Sequence, residues 1–534
     1  MKQWQGQALA PGIAAGEVFF YRRPDRTGLP AAQEPGEEWA RFEQAAATVR
    51  EQRLALAQKA REEADPAAAE IFEIHAMLVE DEDFQEQVHE AVLAGAGAAE
   101  AAARAGKEFS EQFAAMDDEY FRQRAVDFAD IADALCAVLN HEEDRLAALD
   151  RPVILAAEEL TPSETIRVPR RFILGFITQL GSQNSHTAIL ARTLGVPALS
   201  GVPVEPGWNG RPGMLDAGTG AFCLEPDEAQ LERARQFAEQ AKREQCELER
   251  LKDRETRTGD GRKIQIFANA ASLEDVCNAA ESGAEGIGLF RTEFLYLAGG
   301  AAPTEEEQFL AYKSAVQAMG GRPVVLRTLD IGADKQVDYL DLPQEENPAM
   351  GLRAIRLCFA RPGLFIDQLR AMLRAGAFGP VRIMFPMIAS EQELDRALEL
   401  LEQAKEQLRS AGTAFGLDQV GIMVETPAAA VMSDVLAKKV DFFSIGTNDL
   451  TQYTLAADRQ NPAVTAGMDP HDPAVLRLIR RTVENAHNSG IWAGICGELG
   501  ADTALLPLFL EMGVDELSVT VPRVLPLRKA VLEM

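Results

Sequence analysis

Charged and polar side chains recur just after apolar segments in the second half of this sequence. They are Asn269, Arg291 with Glu293, Arg327 with Asp330, Glu425, Asn448 with Asp449, and Cys496 with Glu498; Lys335, Arg353 and Arg459 follow in adjoining stretches. Arginine forks match phosphate and carboxylate oxygens, so Arg291, Arg327 and Arg459 suggest a substrate bearing both groups. Glu425 and Asp449 could hold a hard divalent cation such as magnesium, which commonly takes one or two carboxylates and completes its shell with water and substrate phosphate. Any one of these residues alone reads as a surface charge or a salt-bridge partner. Ion pairing accounts for two or three of the positions, but not for the whole set. No Gly-x-x-x-x-Gly-Lys-Ser/Thr stretch is present, and Gly286-Ile-Gly288-Leu-Phe-Arg291 lacks the third glycine of a dinucleotide turn. The pattern therefore points to phosphoryl chemistry on a small metabolite.

Such residues converge only if the apolar segments form one sheet. Strands are expected at Lys263–Ala268, Gly286–Phe290, Val324–Leu326, Arg382–Pro386, Gly421–Val424, Phe442–Ile445, Trp492–Ile495 and Glu516–Val519, with helical stretches between them. Eight strands alternating with helices are what a (β/α)8 barrel requires, and in that fold the strand ends meet at one mouth.

A second stretch, Gly181-Ser-Gln-Asn-Ser-His186-Thr, follows the strand-like Phe172–Thr178 and precedes apolar residues at helical spacing, Ile189, Leu190 and Leu194. His186 thus opens a helix, where free N–H groups suit an anion or a phosphorylated side chain. The stretch by itself equally fits a helix capped by Ser185 or Thr187, with His186 a surface bystander.

The remaining chain reads as an α/β fold. Trp4 to Tyr21 suggests strand, turn and strand; helical periodicity runs for about a hundred residues from Glu37; strands return at Pro152–Ala157, Gly213–Asp216 and Ala221–Leu224. The simplest organisation is a discontinuous α/β domain, 1–32 and 144–225, with an all-helical insert, 33–143, then a polar linker helix, 226–260, and the barrel, 261–534. Ile71, Ile74, His75 and Leu78 share a helix face, so His75 is expected to be a packing residue. The linker ends at the break Thr258-Gly-Asp-Gly261.

Acidic residues outnumber basic ones by 83 to 53, giving a formal charge of −30. That field disfavours nucleic acid and anionic lipid and favours a basic partner. It is most lopsided between Arg61 and Glu90, where eleven acids face a single arginine. Six cysteines without paired spacing indicate a reduced compartment rather than disulfides or zinc. With neither a signal-like N-terminus nor a membrane-spanning run, a cytoplasmic protein is expected.

Several long motifs then fall into a familiar order: Ser185-His-Thr187 with Ala191-Arg192, Gly288-Leu-Phe-Arg-Thr-Glu-Phe-Leu295, Leu326-Arg-Thr-Leu-Asp-Ile-Gly-Ala-Asp-Lys335, Glu345-Glu-Asn-Pro348, Gly446-Thr-Asn-Asp-Leu-Thr-Gln-Tyr453 and Cys496-Gly-Glu498. In these, from end to end, the chain resembles enzyme I of the phosphoenolpyruvate:sugar phosphotransferase system. The resemblance implies a relay from phosphoenolpyruvate through His186 to the carrier protein HPr, with release of pyruvate. It implies phosphoenolpyruvate binding by Arg291, Arg327, Asn448, Asp449 and Arg459, magnesium at Glu425 and Asp449, and protonation of the enolate carbon by Cys496. The discontinuous α/β domain becomes the phosphohistidine domain, the acidic insert becomes the HPr-docking subdomain, and a homodimer formed through the barrel is expected.

Two departures stand out. The family's usual Gly-Gly-x-Thr-Ser-His is here Gly181-Ser-Gln-Asn-Ser-His186, and Ala333 replaces a usual glycine. Ser182 removes a residue suited to positive φ or to close backbone approach. Pyruvate phosphate dikinase and phosphoenolpyruvate synthase are alternatives, disfavoured because their large leading nucleotide-binding region has no counterpart and the acidic insert is present. A regulatory paralogue without turnover is disfavoured by Cys496, both carboxylates and the arginine set.

Overall fold

The computed structural model describes residues 2–22, 34–62, 66–114, 119–142, 144–182, 185–297, 301–332, 337–343, 345–459, 461, 464 and 468–534. Lys335 and Ala333, singled out above, and Asn184, which replaces the family's usual threonine before Ser185, lie outside the described residues. The chain divides into two compact units, Met1–Arg243 and Glu244–Met534.

The first unit carries an eight-stranded sheet: β1 (Lys2–Gln5), β2 (Gln7–Ala10), β3 (Ile13–Tyr21), β4 (Val153–Ala157), β5 (Ile173–Thr178), β6 (Ala198–Ser200), β7 (Pro212–Asp216) and β8 (Ala221–Leu224), in the order β1-β8-β7-β3-β4-β5-β6-β2. Strands β3 to β6 pair parallel and the flanking pairs are antiparallel. Between the neighbouring parallel strands β3 and β4 lie five helices: α1 (Pro35–Glu62), α2 (Pro66–Leu78), α3 (Glu82–Leu93), α4 (Ala98–Ala114) and α5 (Glu119–Leu139). They bury a core of their own around Phe42, Val49, Phe84, Val88, Phe128 and Ile131. Separate cores allow an insertion of this size between two paired strands. His75 is buried as expected, yet it does more than pack. Its Nε2 stands 3.0 Å from Asp127 Oδ1 and its Nδ1 3.5 Å from Asp130 Oδ2. A neighbouring buried guanidinium, Arg53, donates to the Asp130 carbonyl. The Asp127 contact satisfies the Nε2 of the ring, whereas His75 Nδ1 and Asp130 Oδ2 face each other without a hydrogen bond.

The second unit is a closed parallel barrel of β9 (Gln265–Ala270), β10 (Ile287–Arg291), β11 (Val324–Arg327), β12 (Val381–Phe385), β13 (Gln419–Val424), β14 (Phe442–Ile445), β15 (Trp492–Ile495) and β16 (Glu516–Thr520). All eight expected strands are present, shifted by at most two residues at an end. The fold class is therefore α/β with a C-terminal (β/α)8 barrel. Outward residues such as Ile266, Ile287, Leu326 and Ile383 pack on the surrounding helices. Inward ones, including Leu289, Val325, Met384, Met423 and Phe442, fill the barrel beneath its mouth. Helix α6 (Pro162–Arg167) and helix α7 (His186–Leu194) belong to the first unit, and helix α8 (Glu228–Glu249) crosses from one unit to the other. After α8 the chain is tied to the barrel: Arg528 donates to the Leu251 and Lys252 carbonyls and to Thr256 Oγ1, and Arg262 donates to the Leu510 and Val514 carbonyls.

Glu516 is an unexpected occupant of the barrel interior. It is buried, its Oε1 has no hydrogen-bond partner among the described residues, and a Cβ on Gly288 or Gly494 would strike its carboxyl. Two missing side chains thus make its room. Burial raises its pKa well above the ordinary carboxylate value, opposed by Arg382 and reinforced by Asp515. A carboxyl raised on folding contributes its full stability below the unfolded pKa and loses it as pH rises through the folded value. Glu516→Gln should therefore gain on the parent as pH rises, by about 2–5 °C in Tm between pH 5 and pH 8. Calorimetric melts at both pH values check this, and a pH-independent difference would contradict it.

Candidate active site

One cavity of about 710 Å³ occupies the barrel mouth, lined among others by Arg291, Arg327, Glu425, Asn448, Asp449, Arg459 and Cys496. The seven expected barrel residues are thus brought together. His186 belongs to the first unit, at the first position of α7.

The arginines are not equivalent. Arg291 ends β10, is exposed, and has no ion-pair partner among the described residues. Arg327 ends β11, is buried, and is clamped at both forks: Nη2 to Glu293 Oε1 at 2.6 Å and Nη1 to Asp330 Oδ2 at 3.0 Å. Glu293, read from sequence as the companion of Arg291, instead serves Arg327 across the strand pair. Asp330 also takes Arg353, at 2.9 Å, and Arg353 donates to the Tyr453 hydroxyl at 3.2 Å. Burial pulls the Arg327 guanidinium pKa down, but the Glu293, Asp330 and Glu425 charges outweigh it and raise it above the ordinary arginine value. Burial likewise opposes Asp330 and Asp449 at Arg353, and the carboxylates win there too. Both guanidiniums are held charged in fixed geometry, while Arg291 presents a charge that no described residue pairs with.

Glu425 follows β13 directly and is fully buried. Its Oε1 accepts from the Met387 N–H at 2.6 Å, which supports a left-handed backbone at a non-glycine residue, φ +57°. Among the described residues its Oε2 has no hydrogen-bond partner, and neither does Asp449 Oδ1. The nearest guanidiniums to Asp449, those of Arg353 and Arg459, stand 3.8 and 3.7 Å away. Gly446 keeps the space beside Glu425 open, since a Cβ there would come within 3.0 Å of Oε2. Burial raises the Glu425 carboxyl, Asp449 and Asp330 raise it further, and Arg327 and Arg353 pull it back. Two stranded carboxylate oxygens facing one cavity fit a cation whose remaining ligands are water and substrate. Among the described residues no group of three or more His, Cys, Asp or Glu could hold a metal alone.

Asn448 is locked to Glu498 reciprocally: its Nδ2 donates to Glu498 Oε1 at 3.3 Å, and the Glu498 N–H donates to its Oδ1 at 3.1 Å. Arg459 is held from its backbone, its N–H donating to Gln452 Oε1 at 3.1 Å. Cys496 is buried just past β15, with its carbonyl accepting from Asn269 Nδ2 at 3.0 Å. Burial pushes its thiol up to about 12, against a lowering contact from the Ser444 hydroxyl. Arg523, beyond the last strand, also lines the cavity and was not foreseen. Its signal was position, since the eighth strand end must face the same mouth as the other seven.

In the first unit, Ser185 caps α7 by accepting from the Ala188 N–H at 3.3 Å. Gly181 takes φ +118°, whereas Ser182 is not among the residues with positive φ. The serine therefore sits where glycine's special freedom is not used.

Similarity to known proteins agrees with this arrangement. Sequence profiles described as PEP-utilising enzyme match three regions: the N-terminal domain at residues 5–124, the mobile domain at 149–220 and the PEP-binding domain at 245–534. The fold and these matches define a phosphoenolpyruvate-utilising enzyme. More narrowly, the chain belongs to the phosphoenolpyruvate-protein phosphotransferase family. It is 38% identical to the protein of that name from Staphylococcus carnosus, covering 99% of this chain and 94% of that protein. It is 39% identical to the one from Bacillus subtilis over the same shares. A solution structure described as Enzyme I (nEIt) is 31% identical, covers 45% of this chain and 99% of that one, and has a TM-score of 0.40.

Proposed function

We propose that the protein takes the phosphoryl group of phosphoenolpyruvate onto its own His186 and passes it to the carrier HPr, releasing pyruvate, as the first step of a sugar phosphotransferase system. The observation that carries the reading is the barrel mouth, where a free arginine, two clamped arginines and two stranded carboxylate oxygens face one cavity. Arg291 supplies uncompensated charge for a phosphate, and Arg327 holds its forks ready without reorganisation. Asn448, Asp449 and Arg459 complete the grip on the substrate. Glu425 and Asp449 would hold magnesium, which when bound offsets charge on the phosphoryl oxygens.

Transfer is then positioning plus neutralisation of charge. Imidazole, with an ordinary pKa of about 6.5, offers a neutral nitrogen at neutral pH. The departing enolpyruvate needs a proton at carbon. Cys496, pushed up to about 12, keeps its proton throughout the working range and meets the enolate as a thiol. Residues 1–32 and 144–225 are the phosphohistidine domain in this reading, 33–143 the surface that receives HPr, 226–260 the linker and 261–534 the substrate domain. The acidic insert suits a basic carrier. The assembly is a cytoplasmic homodimer; no helix among the described residues is long and apolar enough to cross a membrane.

The test mixes the full chain with phosphoenolpyruvate and magnesium, with and without a general HPr. Pyruvate is followed together with acid-labile phosphate mapped by mass spectrometry. One phosphate on His186 that moves to HPr is the expected result. A label on His186 that HPr does not take would point to a specialised carrier, and pyruvate without a label on His186 would overturn the relay.

A further inference from the structure

The grip just described depends on two strand ends that the β-ladder itself stops supporting. Pairing of β10 with β11 ends at Arg291↔Arg327. Glu293 and Asp330, which clamp Arg327, lie beyond it. A buried side-chain network ties those stretches together. Gln368, fully buried on the helix Pro362–Ala375, accepts through Oε1 from the Leu329 N–H at 2.9 Å. Its Nε2 donates to Thr292 Oγ1 at 3.1 Å and to the Tyr312 hydroxyl at 3.3 Å. The Thr292 hydroxyl in turn donates to the Arg327 carbonyl at 2.9 Å, and Tyr312 donates to Gln308 Oε1 at 3.1 Å.

Every polar atom of the Gln368 amide is used. Its surroundings on the same helix are apolar, Phe365, Leu369 and Met372. Burying an amide among them is costly unless its bonds are made, and methionine would fill similar space with no such demand. Packing alone therefore does not account for an amide here. Thr292 lies between Arg291 and Glu293, and Leu329 lies next to Asp330, so one planar group pins both strand ends from outside the barrel.

We propose that Gln368 is a positioning residue that sets the spacing between the Arg291–Glu293 and Arg327–Asp330 strand ends, and through it the affinity of the mouth for a phosphorylated carboxylic acid. The proposal rests on the reading of those arginines as substrate ligands.

Steady-state pyruvate release at 25 °C, with melts on the same samples, tests it on the full chain. Gln368→Met should lower kcat/KM for phosphoenolpyruvate about ten- to a hundredfold, chiefly through KM, because small displacements of positioning groups carry costs of that order. Thr292→Val, which cuts the same link at its other end, should cost about tenfold alone and little more in the Gln368→Met background. Thr292→Ser keeps the hydroxyl and should stay within about threefold of the parent. Lower melting temperatures with unchanged kcat/KM, or fully multiplicative losses, would overturn the proposal. If Gln368→Met does not fold, the Thr292→Val and Thr292→Ser pair decides: equal kcat/KM in the two overturns it. Arg327→Met separates the two readings. Parental kcat/KM in that variant would bring down the substrate site and this proposal with it, whereas loss there with a normal Gln368→Met would remove only the role of Gln368.

Discussion

Arg327→Met is expected to lower kcat/KM for phosphoenolpyruvate by about 10³-fold, the scale associated with removing a preorganised donor from a site of developing charge. Arg327 is buried at the strand end and shares its forks between Glu293 and Asp330, so its geometry is set before substrate arrives. Methionine preserves much of the side chain's apolar bulk and removes both the charge and the forks. The loss has a second component. Without the guanidinium, buried Glu293 loses its ion-pair partner while Asp330 keeps Arg353, and breaking a buried pair of this kind costs about 3–5 kcal/mol of stability.

Arg327→Lys separates the components. It retains a positive charge for Glu293 and Asp330 but not the planar fork, so its melting temperature should fall less than that of the methionine variant. Its kcat/KM should still fall by about 10²-fold, since an ammonium does not reproduce a bidentate contact. Pyruvate release and calorimetry on the same preparations measure both effects. A methionine variant that melts like the parent and keeps kcat/KM within about tenfold would remove Arg327 from the site.

These residues show which parts of the site were legible in sequence. Strand ends were readable because an inward-facing parallel strand is an apolar run with a sharp stop, and the barrel carries every such stop to one mouth. Arg291, Arg327, Glu425, Asp449 and Cys496 were found in that way. Pairings across the mouth were not readable. Glu293 follows Arg291 by two residues yet clamps Arg327 from the next strand, because the alternation of the chain and the register of β10 with β11 decide which side chain faces which. Gln368 gave no signal, since one polar residue on a helix face counts in a periodicity only as an interruption. Its partners come from a strand end, a neighbouring helix and a loop, and only the fold assembles them. His75 was legible only in part: its helix face was read correctly as buried, but Asp127, which bonds its Nε2, and Asp130, which stands near its Nδ1, come from a helix some fifty residues away. Ser182 shows the converse, for a missing glycine in a motif looked consequential until the positive φ was found at Gly181.

Glu425→Gln should reduce pyruvate release by about 10³-fold and raise the magnesium needed for half-maximal rate at least tenfold, because in the proposed site it removes one of two anionic ligands while leaving the fold intact. The amide oxygen can still accept the Met387 N–H, so the left-handed backbone at Met387 keeps its support. The substitution also takes a buried acid away from Asp449 and Asp330, whose charges disfavour its ionisation. In metal-free buffer the variant should therefore melt at or above the parent. Magnesium is then the discriminating addition. A ligand that binds the native state raises Tm in proportion to RT ln(1 + [L]/Kd), so millimolar magnesium should stabilise the parent and leave Glu425→Gln nearly unmoved. That readout needs no turnover and does not depend on His186. Equal magnesium-induced shifts in parent and variant would place the cation elsewhere, and the stranded oxygens of Glu425 and Asp449 would then need another partner. A variant that melts well below the parent without magnesium would instead mean that the Glu425 charge, and not only its acceptor oxygen, holds the Met387 turn.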